Sequence, residues 1–373
     1  MSRSVTRTGN RRLRWLVAAF AALALIPAVA LAAGHWHGAA RLHTARFLSS
    51  ATVLPDGRVL VAGGFQYRML ASVEIFDPQS GRWTTVAPFF SPRFAHTGTL
   101  LPDGSVLVAG GYNLTAHYLT SAERYLPAAN TWVPAGDMSV PRDNHTATFL
   151  RDGRVLVTGG FNTFGSAVGS TELYSPGSNQ WTRTASLRTP RYHHTATLLP
   201  DGRVLVVGGE QDHGGELKLL SSAEIYDPVT NRWTSAGRLP FGVANHTATL
   251  LGNGRVLVVG GGDRAPGFRA GAEIYNPQRN RWSRVASLPA PRAFHIAELL
   301  HSGQVLVAGG VNDHGALASA WLYTPSRNRW QRAGSLTPAA KEAAVELADG
   351  RVLVAGGQRY QGAPVAATTI YSP

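Results

Sequence analysis

A Gly-Gly pair recurs at positions 63, 110, 159, 208, 260, 309 and 356, at steps of 47, 49, 49, 52, 49 and 47 residues. A chain that repeats itself seven times at such a period is built from seven like units, so its organisation follows from the repeat and not from its length of 373 residues. The clearest copy runs from Pro190 to Gly209. It holds Arg191, His194, the turn Asp201-Gly202 and the apolar run Val204 to Val207, then continues with Ser222 to Pro228 and closes on Asn231-Arg232-Trp233. In six units an aromatic residue precedes a tryptophan by seven positions: Phe76 and Trp83, Tyr125 and Trp132, Tyr174 and Trp181, Tyr226 and Trp233, Tyr275 and Trp282, Tyr323 and Trp330.

Each unit reads as strand, turn, strand, loop, strand, turn, strand. Asp-Gly at 56, 103, 152, 201 and 349, with Asn253-Gly254 and Ser302-Gly303 as variants, supplies the positive-φ position of a tight hairpin. The apolar runs beside it are short and β-branched, as strands covered on both faces require. A four-stranded antiparallel unit repeated about every 49 residues is a propeller blade. Gly-Gly followed by the Tyr-x6-Trp pair resembles the kelch repeat, and the resemblance covers residues 36–373. It implies an all-β, seven-bladed kelch-type β-propeller.

The chain ends bear on closure. The seventh unit stops at Tyr371-Ser372-Pro373, where its fourth strand and tryptophan should follow. Trp36 precedes Arg46 by ten residues, the offset from Trp83 to Arg93 and from Trp181 to Arg191. Residues 34–42 are therefore expected to complete the last blade and cover its open edge. One propeller is expected over 33–373, as a monomer.

Before it, five arginines and no acid lie within the first 14 residues, and an apolar run follows from Trp15 to Leu31. This is the layout of an export signal cut after about Ala32. An uncleaved membrane anchor is the alternative, although 17 apolar residues are few for a span and Pro27 interrupts a helix. The expected location is periplasmic or extracellular, or membrane-anchored facing outward. Loss of residues 1–32 lowers the formal charge from +13 to +8. The remaining basic residues recur at unit positions instead of forming a block, so nucleic acid is not expected as a partner. The absence of cysteine excludes disulfides, thiolate metal sites and thiol nucleophiles.

His96, His145, His194, His246 and His295 share one register, and Arg46, Arg93, Arg142, Arg191 and Arg292 another. A catalytic site needs different residues in one place, whereas a packing contact needs the same residue in every blade. These sets therefore read as structural, with Glu74, Glu123, Glu172, Glu224 and Glu273 as partners of the arginines. Only the fourth unit sets Tyr192-His193 before the repeat histidine. This stretch resembles galactose oxidase, a copper-radical enzyme on a kelch propeller, in which such a pair binds copper. The resemblance also implies a tyrosine cross-linked to cysteine and a histidine from a C-terminal domain. The first is impossible without cysteine and the second is not expected here, so neither metal nor cofactor is expected.

The loops after Gly-Gly share one end of the ring. The fourth carries Asp212, His213 and Glu216, and the sixth Asp313 and His314. With Arg191, Tyr192 and His193 they form the expected binding face. The expected function is non-enzymatic binding of a protein, glycan or envelope polymer. A carbohydrate-active enzyme, either an oxidase relative without the radical cofactor or a sugar epimerase or lyase, is the alternative.

Overall fold

The computed structural model describes residues 34–162, 165–213, 216–263, 267–359 and 362–373. The export or anchor segment expected over 1–32 lies outside them. Seven four-stranded antiparallel sheets follow one another, each in the order inner to outer. The first blade is Ser50–Val53, Val59–Ala62, Val73–Asp77 and Arg82–Val86. The fourth is Thr195–Leu198, Val204–Val207, Ser222–Asp227 and Arg232–Arg238. The inner strands adjoin one another in a closed circle, with Ala343–Glu346 of blade 7 meeting Ser50–Val53 of blade 1.

The core sits between blades and not within them. Each of the seven apolar clusters joins residues of two neighbouring sheets, as when Leu205 and Val207 of blade 4 pack with Val256, Val258 and Tyr275 of blade 5. This is why every second strand is apolar along its whole length: both faces meet a neighbour. The tryptophans lock the seams. Trp132 donates its indole N–H to the Ala87 carbonyl at 2.8 Å, Trp233 to Ala185 at 2.7 Å and Trp330 to Ala286 at 2.6 Å, always one blade back. Each repeat tyrosine lies about 5 Å from its tryptophan, as Tyr226 does from Trp233 at 5.2 Å. In blades 2–6 its hydroxyl donates to a turn asparagine such as Asn231, whose backbone is left-handed.

The closing strand is His35–Gly38, which pairs antiparallel with Thr368–Ser372 and sets Trp36 opposite Tyr371. Trp36 stacks on Tyr371 at 5.1 Å and donates to the Ala333 carbonyl of blade 6 at 2.8 Å. It does for blade 7 what the other tryptophans do for theirs.

Candidate binding site

In blades 1–4 the loop-rich end of the ring is built on a charge lattice that is internally satisfied. Arg46, Arg93, Arg142 and Arg191 are wholly buried and pair with Glu74, Glu123, Glu172 and Glu224 at 2.5–2.9 Å. Each arginine also donates to the first carbonyl of a Gly-Gly pair, and each glutamate accepts two amides of the preceding loop, as Glu224 does from Arg188 and Thr189. Buried charges are tolerable only when bonded this completely. Arg191, expected on the binding face, is therefore not a ligand contact: its guanidinium is spent on Glu224, Ser222 and Gly208. The expected pairing also fails in two blades. Val243 stands where blade 5 would have its arginine, leaving a Glu273 oxygen without a partner, and Trp321 stands where blade 6 would have its glutamate. Burial without an acid lowers Arg292 to about 10.

Below the arginines, each repeat histidine is buried and bonds through Nε2 to a hydroxyl one blade back: His96 to Ser50, His145 to Thr97, His194 to Thr146, His246 to Thr195, His295 to Thr247. Burial, reinforced by the nearby arginines, holds His96 and His246 down to about 3. The imidazoles are neutral near pH 7 and bind no anion through charge. In blade 7 Glu342 takes the histidine's place, Ile296 occupies the position that supplies the hydroxyl to the others, and burial pushes the carboxyl well above the usual carboxylate range.

The chemistry lies one step above, in three registers that differ from blade to blade. The residue after the repeat arginine position is Phe47, Phe94, Asp143, Tyr192, Ala244, Ala293 and Ala340 around the ring. The next is Leu48, Ala95, Asn144, His193, Asn245, Phe294 and Lys341, all with left-handed backbones. These seven close a circle of backbone hydrogen bonds of 2.8–3.3 Å, each N–H donating to the carbonyl of the equivalent residue one blade back. Leu48, Ala95, Asn144, His193 and Asn245, with the repeat histidines of blades 2–5, line an axial cavity of about 250 Å³. The third register follows Gly-Gly and bridges the first: Phe65 to Phe47, Tyr112 to Phe94, Phe161 to Asp143, Glu210 to Tyr192.

Aromatic rings on residues that adjoin this collar in sequence or in backbone pairing follow one another in unbroken succession. From Phe47 through Phe65, Phe94, Tyr112, Tyr118, Phe161, Tyr192 and His193 to Phe294, each ring centroid lies 4.9–6.2 Å from the next. Lys341 completes the circle, its Nζ 5.0 Å from the Phe294 centroid and 5.7 Å from that of Phe47. Beside the rings, buried Glu210 bonds His193 Nδ1 and the Asn245 amide, each at 3.1 Å. Asp143 is 6% exposed and its Oδ1 has no hydrogen-bond partner. Burial pushes its carboxyl up to about 6, against the opposing pull of Asn144 and His193.

Of the expected residues, Tyr192 and His193 thus sit at the centre. Asp212 and His213 lie on one strand of a hairpin, Glu210–His213 against Glu216–Leu219, with His213 opposite Glu216. Asp313 and His314 are exposed at the tip of the blade 6 loop. Asp143, Glu210, Asn245 and most of the rings were not anticipated. A larger recess of about 400 Å³ opens at the other end of the ring, where Asp56 and Arg58 form an exposed turn pair. It gathers no comparable set.

Kelch-motif matches cover residues 46–89, 93–139, 141–188, 190–240, 245–289 and 300–337. The chain belongs to the kelch-motif family. A sequence comparison with curated proteins returns no match. Among solved structures, this kelch chain is similar to a fungal alcohol oxidase of the AA5 family determined in complex with copper. The TM-score is 0.75 at 18% identity, over 91% of this chain and 76% of that one. At that identity the likeness speaks to the seven-bladed fold. The donor set for a copper-radical centre does not fit here. There is no cysteine to cross-link, and His193 Nδ1 is engaged by Glu210. No three His, Cys, Asp or Glu residues among the described ones are grouped to hold a metal ion.

Proposed function

We propose that this kelch propeller is an exported binding module that takes a glycan at its axial mouth. The observation that carries the reading is the long arc of contacting rings with Glu210, Asn245, His193 and Asp143 set along it. The C–H face of a sugar ring packs on the negative face of an aromatic ring, while its hydroxyls need closely placed acceptors and donors. Both are supplied by the same blades. Export is supported by the basic and apolar run over residues 1–32. Titration calorimetry of the mature protein against oligosaccharides tests the reading. Tyr192→Ala and Phe161→Ala should each weaken binding about tenfold, the worth of a lost stacking platform. Unchanged affinity in both variants would refute it.

An enzyme acting on sugars is the second reading, favoured by the likeness to an alcohol oxidase and by Tyr192-His193 at the axis. Turnover of a bound oligosaccharide, seen by product analysis and abolished in His193→Gln, would establish it over binding alone.

A further inference from the structure

Asp143 is the one acid in a register otherwise filled by Phe47, Phe94, Tyr192 and three alanines. It lies in the aromatic arc: its backbone pairs with Phe161, whose ring contacts Tyr118 at 5.8 Å and Tyr192 at 4.9 Å. Its neighbouring cation, Arg142, is committed to Glu172 at 2.9 Å, and His193 to Glu210 at 3.1 Å. An almost buried carboxyl with one oxygen unbonded costs free energy that some partner must offset. The same collar already shows what suits such rings: the Lys341 ammonium rests between Phe294 and Phe47. On blades 3 and 4 the rings are present and the carboxyl is present, but no lysine is.

Resting on the glycan reading, we infer that the mouth selects a glycan bearing a free ammonium group, an amino sugar, seated on Asp143 between the rings of Tyr118, Phe161 and Tyr192. A neutral hydroxyl would fill the missing hydrogen bond of Asp143. Only a cation also gains from its charge and from the ring quadrupoles. The positive charge of the whole chain opposes this weakly: exposed arginines such as Arg279, Arg281, Arg327 and Arg329 sit on outer turns and strands of blades 5 and 6. Charges beyond about 10 Å are largely screened at moderate salt.

The test compares affinities for the glucosamine tetramer, its N-acetylated counterpart and cellotetraose by calorimetry at about pH 6.5, where amine and carboxylate are both substantially charged. The amine should bind about tenfold more tightly than the N-acetylated form. In Asp143→Asn that ratio should collapse towards one, a change that general loosening of the mouth would not produce. Equal affinities in the native protein, or a ratio unmoved by Asp143→Asn, overturn the inference while leaving glycan binding intact. Failure of all three sugars to bind overturns both.

Discussion

Arg142 and Arg292 occupy the same register, yet their surroundings predict different costs for the same change. Arg142→Met strands Glu172 as a buried charge and should cost about 3–5 kcal/mol. Arg292→Met strands no acid, only the carbonyls of Gly309 and Ser319, and should cost roughly 1–2 kcal/mol. Urea denaturation of the two variants checks the difference. Asp143 supplies a prediction of the opposite sign. Its folded pKa of about 6 lies above the unfolded value of about 3.9, so the folded state holds the proton more tightly. Stability from this group is complete below pH 4, is lost as pH rises through 6 and stays lost above it. Asp143→Asn should therefore stabilise by about 3 kcal/mol at pH 8 and by almost nothing at pH 4, measured from urea midpoints at both. Asp143 was illegible in the sequence for a definite reason. A repeat reveals itself by what recurs, and the recurring arginine and histidine columns draw attention away from the two positions between them. Aligning the units column by column isolates the dipeptide after the arginine, where Tyr192-His193 stood out and Asp143-Asn144 did not.

At the scale of the strand, the closing segment was readable because Trp36 keeps the ten-residue offset to Arg46 that other units show. Offsets carry the fold in a repeat, so strands, turns and the seventh blade follow from them. They say nothing of which loops converge, since Glu210 meets His193 across its own blade and Asn245 only once blade 5 has been laid beside blade 4. The strand also carries a load. Trp36→Ala removes the stack on Tyr371 and the bond to Ala333, and should lower stability by about 3 kcal/mol in denaturant melts. Removal of residues 34–42 goes further and exposes the edge of Thr368–Ser372. An unpaired edge recruits other strands, so that variant should elute as dimers and larger species in size-exclusion chromatography.

The ring as a whole has one property that no blade has alone. Leu48, Ala95, Asn144, His193, Asn245, Phe294 and Lys341 bond to one another in a circle that runs across every seam, with Leu48 N–H donating to Lys341 to join the first blade to the last. Each bond requires its neighbour blade in register, and the seams are where the apolar core lies. The seven amides belong to loops, which ordinarily exchange with solvent through small local openings. Here a single opening needs two blades to part, which breaks their shared apolar cluster. In native-state hydrogen exchange the seven should therefore be protected together, with opening free energies close to that of global unfolding. The variant lacking residues 34–42 discriminates between a circle and a chain of independent links. If closure sustains the collar, all seven amides lose protection at once; if each link stands by itself, only those of Leu48 and Lys341, whose bonds cross the two seams flanking blade 7, exchange faster. The mouth that would hold the ligand is then as rigid as the closure of the ring, and removing a strand on the outer rim should weaken glycan binding at the axis.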